Sequence, residues 1–191
     1  KLSNVGADRD MVERLSAIEK NIDRASVIAQ ELLQFSRTQE TDFLPLNVNN
    51  AIESSLTLLQ YKLRNIILTR DLASLPDVMG DPVKLEQVLI NILSNALEAM
   101  PEGGELFIAS RPKDGMIEVR ITDTGCGISP ENQSRVFEPF FTTKDVGSGT
   151  GLGLSVSYGI IRQHHGRIEL SSKPGQGTTV TIKIPAKEGY E

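Results

Sequence analysis

One cysteine, Cys126, is all the thiol that the 191-residue sequence contains. An internal disulfide and a cysteine-built metal cluster are therefore excluded, and a reduced bystander is the plain reading of that side chain. Long apolar runs are missing as well: no stretch approaches the ~20 residues that a membrane-spanning helix needs, and no signal-peptide pattern opens the sequence. There is no excess of positive charge. Lys and Arg number 20 against 25 Asp and Glu, a formal net charge of −5 with a pI near 5.2. That balance argues against a nucleic-acid partner or an anionic membrane surface held by charge. The first residue is Lys1 and not Met, as expected of a piece of something longer, and a membrane anchor in the parent protein stays open. Two familiar phosphate loops are missing too, although residues 147–155, GSGTGLGLS, invite them. No Gly-Lys-Ser/Thr closes this stretch, which excludes a P-loop. Leu152 and Leu154 stand where G-x-G-x-x-G needs its third glycine.

What is present is a globular composition, 39% hydrophobic and 24% charged, able to bury a core. The length suits one domain, or one domain with an appendage. A helical period runs over residues 11–37, through Leu15, Ile18, Ile22, Ala25, Ile28, Ala29, Leu32 and Phe35. Asp8 or Asp10 is its candidate cap. So long an apolar stripe wants a partner helix. Residues 39–46, QETDFLPL, read as a hinge. A helix capped by Asn47 or Asn49 then reaches about Leu63, and a strand fits 66–71. A short edge strand is expected at 77–79. Asp81-Pro82 is a strong helix start for an apolar helix to Met100. Strands follow at 105–110 and 116–123, a short helix at 130–136, a helix at 151–164, and strands at 167–172 and 177–184. This pattern predicts an α+β fold, a two-layer sandwich with a mixed sheet and helices on one face.

Four motifs carry candidate chemistry. Asn91 and Asn95 lie four apart on the apolar helix, hence on one face. A side-chain carbonyl there suits Mg²⁺, which takes few protein ligands and fills its octahedron with water and phosphate; the alternative is two solvent-facing amides. Asp123-Thr-Gly125-Cys-Gly127-Ile128 ends a strand. Its carboxylate can accept from an exocyclic amine while the glycines let a flat ring approach, or the motif only closes a hairpin. Phe137-Glu-Pro-Phe140-Phe141-Thr142-Thr143-Lys144 puts a cation at the mouth of the glycine loop, suited to a terminal phosphate or simply solvated. Phe137 is the candidate staple of that loop. Finally, Gly149, Thr150, Gly151, Leu152, Gly153 and Leu154 run into a helix start, where free N–H groups and the dipole favour an anion. Residues 138–150 are the candidate mobile lid; a plain flexible linker is the alternative.

The order and spacing of these motifs resemble the ATP-binding domain of sensor histidine kinases, within the superfamily that includes gyrase-type, mismatch-repair and chaperone ATPases. The likeness rests on "GDPVKLEQVLINILSNALEAM", "ITDTGCGISPENQSRVFEPFFTTK" and "GTGLGLSVSYGIIRQHHGRIELSSKPGQGTTVTIKIP". "ELLQFSR" is similar to the end of the second helix of the dimerization hairpin. The resemblance implies a protein-histidine kinase core using ATP and Mg²⁺, with Asn95 as metal ligand, Asn91 beside it, and Asn91, Asn95 and Lys144 as the catalytic set. It implies Asp123 on the adenine amine, Gly125 and Gly127 beside the ring, and Ile128, Phe141, Thr142 and Thr143 lining the nucleotide. Lys144 and residues 149–154 would meet the phosphates, and Thr178 the adenine edge. It further implies residues 1–40 as a hairpin remnant, 41–187 as the ATP domain and 188–191 as a tail. The expected partners are a histidine-bearing hairpin of the same or a sister subunit, a response-regulator receiver domain, and a second copy held weakly by the N-terminal helix. The expected location is cytoplasmic.

The likeness departs in two places. Glu98 stands where many members carry lysine, and "NALEAM" is similar to the nitrogen-regulator-like branch. The two histidines, His164 and His165, lack the acceptor context and are expected at a polar helix end, which puts the phosphoacceptor outside this sequence. Two other classes stay open. A non-kinase ATPase of the superfamily would need a Glu general base where Asn91 stands. A noncatalytic binding module would not need the motifs intact.

Overall fold

The computed structural model describes residues 11, 12, 14–16, 18, 19, 22, 43–144 and 149–187. The expected helix over 11–37 falls mostly outside them, as does the tail. The described residues between 11 and 22 have helical backbone, and Met11, Val12, Leu15, Ile18 and Ile22 are all more than half exposed.

From residue 43 the chain forms β1 (Leu44–Leu46), α1 (Val48–Leu58), a 3-10 turn (Gln60–Lys62), β2 (Ile66–Leu72), β3 (Val78–Gly80), α2 (Pro82–Glu98), β4 (Gly104–Lys113) and β5 (Met116–Asp123). After these come α3 (Pro130–Gln133), α4 (Gly153–Gln163), β6 (Arg167–Lys173) and β7 (Gly177–Pro185). Five strands make one mixed sheet in the order β2-β4-β5-β7-β6. Only β2–β4 is parallel. A parallel pair needs a long crossover, and β3 with α2 supplies it.

Alternation sets the two layers. Leu106, Ile108, Ile117, Val119, Ile121, Val180, Ile182 and Ile184 are buried, while their strand neighbours are mostly exposed or half-buried. The buried side packs against helices whose stripes are Val48, Ile52 and Leu56 on α1 and Leu85, Val88, Leu89, Ile92, Leu93, Ala96 and Leu97 on α2. Register puts Asp123 opposite Leu106 on one side and Thr178 on the other. The last inward positions of β5 and the first of β7 thus meet at one end of the sheet. Among the described residues no helix is long and apolar enough to cross a membrane.

The helix starts follow their sequence signals. Asn47 caps α1 by accepting from Asn49 N–H at 2.9 Å. Asp81 caps α2, its Oδ1 accepting from Val83 and Lys84 N–H with Pro82 in the first turn. Several boundaries differ. The first helix ends at Leu58 and continues as the 3-10 turn, short of Leu63. β4 runs to Lys113 because Asp114 and Gly115, both at positive φ, close a two-residue hairpin that pairs Lys113 with Met116. Part of the segment read as a hinge is β1, paired antiparallel to β3.

The end of α4 also differs from the polar helix end expected of the His164-His165 pair. His165 is exposed at φ 56°, but His164 is only 2% exposed. The His164 ring stacks on Phe43 with centroids 4.7 Å apart, and its Nε2 accepts from Asp81 N–H at 2.9 Å.

Candidate functional site

Asp123 ends β5 with its side chain among the inward set, only 5% of the residue exposed. Its Oδ1 accepts from Gly125 N–H at 2.9 Å and from Thr178 N–H at 3.2 Å. No described residue hydrogen-bonds Oδ2, and the side chain borders a cavity of about 490 Å³. Burial pushes the carboxyl above its ordinary pKa, and the two backbone donors pull in the other direction. Thr178, also buried, is held by Ser172, whose Oγ lies 2.9 Å from Thr178 Oγ1.

The turn after Asp123 needs glycine for a reason of its own. Gly127 has φ +69°, and a Cβ there would lie 2.0 Å from the Lys173 carbonyl oxygen; one on Gly125 would meet Ala99 at 2.6 Å. The neighbour that crowds these glycines is protein backbone and side chain. The loop is thereby pressed between the end of α2 and the β6–β7 turn, and Gly127 and Ile128 reach the cavity wall.

Asn91 and Asn95 share a face of α2, as their spacing requires, and both border the cavity. Their amides have different partners. Asn91 Nδ2 donates to Gly153 O at 3.2 Å and lies 3.5 Å from Ser157 Oγ, which ties α2 to the first turn of α4. Asn95 Oδ1 accepts from Lys144 Nζ at 3.2 Å. The same ammonium donates to Glu98 Oε2 at 2.5 Å. Glu98 Oε1 lies 3.5 Å from Lys62 Nζ.

The third wall is the loop from Phe141 to Lys144 together with Gly149, Thr150, Gly151, Gly153 and Leu154. Phe137 is packed against the core and on Tyr158, ring centroids 5.6 Å apart, as a staple would be. The Arg135 guanidinium sits 4.5 Å over the Phe141 ring. Gly151, at φ +70°, brings its backbone against Phe140, whose carbonyl carbon would lie 2.5 Å from an added Cβ. α4 starts with no side-chain cap. Its first N–H groups are thus the kind that take an anionic ligand.

Of the candidate site residues, Asn91, Asn95, Asp123, Gly127, Ile128, Phe141, Thr142, Thr143, Lys144, Gly149, Thr150, Gly151, Gly153, Leu154 and Thr178 line this one cavity. Gly125 and Leu152 do not; Gly125 supports the turn behind Asp123, and Leu152 is buried. The cavity also has an apolar wall of Ile121, Val136, Leu170 and Val180, and borders Glu98 and Cys126. Ile121 and Val180 were readable from strand alternation, two positions from Asp123 and Thr178 on the same face.

A family profile described as "Histidine kinase-, DNA gyrase B-, and HSP90-like ATPase" matches residues 80–188, more than half of the chain and nearly every wall of the cavity. The chain belongs to this ATPase family. Among relatives, it is 38% identical over 177 residues to the signal transduction histidine-protein kinase AtoS of Escherichia coli (strain K12), a match covering 91% of this chain and 29% of AtoS. Thus it spans less than a third of that relative's length. Among solved structures, the catalytic domain of histidine kinase ThkA superposes with a TM-score of 0.69 at 34% identity, covering 76% of this chain and 96% of that one. ThkA in complex with the response regulator protein TrrA gives a TM-score of 0.76 at 27% identity, covering 97% of this chain and 54% of that one. The histidine kinase-like ATPase fold therefore accounts for the mixed sheet, the helical layer and the position of the cavity between them.

Proposed function

We propose that the chain is the ATP-binding catalytic core of a two-component sensor histidine kinase. In this reading it transfers the γ-phosphoryl group of Mg-ATP to a histidine on a dimerization hairpin, an acceptor not among its own two histidines. The observation that carries the proposal is the convergence of Asp123, Asn95 and Lys144, from β5, α2 and the loop between α3 and α4, on one cavity beside the uncapped start of α4. Asp123 Oδ2 is available to the adenine amine, and the apolar wall of Ile121, Leu170 and Val180 suits the ring face. Lys144 and the first N–H groups of α4 suit the phosphates.

The donor set fits magnesium in one form only. Among the described residues no cluster of three His, Cys, Asp or Glu side chains could hold a metal. Asn95 Oδ1 nevertheless faces a cation already, the Lys144 ammonium. A single neutral oxygen suits Mg²⁺ whose remaining ligands are phosphate and water. Asn95 Oδ1 would hold the ion at α2, and the chemistry supplied there would be partial neutralisation of the phosphate charge. A hydrolytic ATPase is less well supported, because Asn91 stands where the general base would, with its amide committed to Gly153 and Ser157. A kinase needs no water activation: the acceptor imidazole nitrogen bonds to the γ-phosphorus as the bond to ADP breaks.

His164 does not suit the acceptor role, since it is buried with both ring nitrogens engaged. His165 lies on the surface at the end of α4. The ThkA–TrrA complex supports a response-regulator receiver domain as the next phosphoryl carrier, and the need for ATP supports a cytoplasmic location for this core. The test is calorimetry with Mg-ATP and Mg-GTP, then labelling of a separate histidine-bearing hairpin with radioactive ATP. Asn95→Ala is expected to remove most Mg²⁺-dependent affinity, and Asp123→Ala the preference for adenine. Wild-type affinity in both variants, or acid-labile phosphate on His164 or His165, would refute the proposal.

A further inference from the structure

We infer that Glu98 is a positioning residue for the phosphate end of the nucleotide, holding the Lys144 ammonium against α2 beside Asn95. The inference rests on the reading of the cavity as an ATP site and deepens it. Glu98 follows Asn95 by three positions, so both side chains lie on the same face of α2. Lys144 Nζ reaches both, at 2.5 Å to Glu98 Oε2 and 3.2 Å to Asn95 Oδ1. The other carboxylate oxygen of Glu98 faces Lys62 Nζ at 3.5 Å, from the 3-10 turn after α1. A carboxylate at the phosphate mouth would by itself repel the ligand. This one is flanked by two ammonium groups, and the three side chains together carry one net positive charge.

Geometry gives the carboxylate a purpose beyond being tolerated. Lys144 sits on a loop and carries a four-carbon stem rich in rotamers, freedom it would lose on meeting a phosphate. Two acceptors on a rigid helix already confine the ammonium to the metal-ligand face, which reduces the ordering cost at binding. Lys62 in turn holds the carboxylate. Glu98, at the border of the cavity, thus acts on the ligand through Lys144.

Two physical effects of removing the charge have opposite signs, which makes the inference testable. Direct repulsion alone would make Glu98→Gln bind ATP more tightly; loss of positioning makes it bind more weakly. We would titrate wild type, Glu98→Gln, Lys144→Ala and the double variant with ATP and with ADP in excess Mg²⁺, by calorimetry. The ion pair is partly exposed, with side chains 37% and 42% accessible, so the expected loss for Glu98→Gln is about three- to fivefold for ATP, and smaller for ADP, which lacks the terminal phosphate. In the Lys144→Ala background the same substitution is expected to cause no loss, because the residue through which it acts is gone. ATP binding by the wild type with unchanged or tighter binding by Glu98→Gln would overturn the inference and leave the site reading intact. So would an equal loss in both backgrounds. A wild type that binds no ATP would overturn the site reading and this inference with it.

Discussion

Burial holds the Asp123 carboxyl above its ordinary range, and the N–H groups of Gly125 and Thr178 bring it only part of the way back. The charged form, which would accept from an amine, is therefore the form that the fold disfavours. The sign of the consequence follows directly. The native state keeps this proton to higher pH than the unfolded chain does, so stability falls as pH rises from the unfolded pKa through the raised native one. Above that window the burial cost is carried in full. Asp123→Asn retains an oxygen for the two backbone donors and removes the charge. Its expected phenotype is a split: a melting temperature at neutral pH equal to or above wild type, converging with wild type in acid, together with a clear loss of adenine-nucleotide affinity. Thermal melts from about pH 4 to about pH 8, with ATP titration at neutral pH, check both halves. A variant that melts well below wild type would show that the carboxylate serves the turn and not a ligand.

Three elements meet at His164: the last turn of α4, the β3–α2 junction and the start of β1. Nδ1 lies 2.8 Å from Ile160 O and Nε2 lies 2.9 Å from Asp81 N, so the ring is neutral with its proton on Nδ1, donating to Ile160 and accepting from Asp81. Burial lowers its pKa, against the Ile160 carbonyl and the Asp81 carboxylate, which favour the charged form. A depressed pKa gives a contribution opposite in sign to that of Asp123: full above the ordinary value of about 6.5, and lost as pH falls through the native value. His164→Leu strands the Asp81 N–H, so stability at neutral pH is expected to drop by about 1–3 kcal/mol and the acid decline to flatten. Denaturant melts at neutral and mildly acid pH measure both, and an undiminished acid decline in the variant would assign it to another group. None of this joint was legible locally. The β1 strand is three residues around a proline, and its partner lies more than thirty residues on. His164 is buried by residues distant in sequence, which no local period records. The same limit hid the partners of Glu98, which come from the 3-10 turn and the loop. Where the signal is local the fold follows it: Asp81-Pro82 marks the start of α2 and the alternation of Ile117, Val119 and Ile121 marks β5, while Asn95, Asp123, Gly149, Gly151 and Gly153 border one cavity.

At the scale of the molecule, the ATP domain and the N-terminal segment differ in how their apolar residues are covered. The domain buries its stripes between sheet and helices. In the N-terminal segment, Met11, Val12, Leu15, Ile18 and Ile22 are exposed by 53–60%, on helical backbone. The sequence continues their spacing to Phe35, in residues beyond those described. A complete dimerization hairpin of the kind this segment resembles brings two helices from each subunit into a four-helix bundle; one helix per chain offers half of that surface. Burying a large aliphatic side chain is worth ~1.5–3 kcal/mol, so leaving a stripe of five in water is unfavourable by several such increments. Against this, association costs ~4–15 kcal/mol in lost freedom. The two quantities are of the same order, which sets the expected behaviour: a concentration-dependent equilibrium, weaker than a full bundle would give, with the ATP domain itself monomeric. Sedimentation velocity over a range of concentrations should show that equilibrium, and deletion of residues 1–40 should abolish it while leaving ATP affinity unchanged. A single substitution gives the same test without truncation. Ile18→Glu puts a charge in the middle of the stripe and is expected to shift the chain to monomer with no change in melting of the domain. If the oligomer survives both changes, the contact belongs to the ATP domain, and the likeness of this helix to a dimerization hairpin loses its physical support.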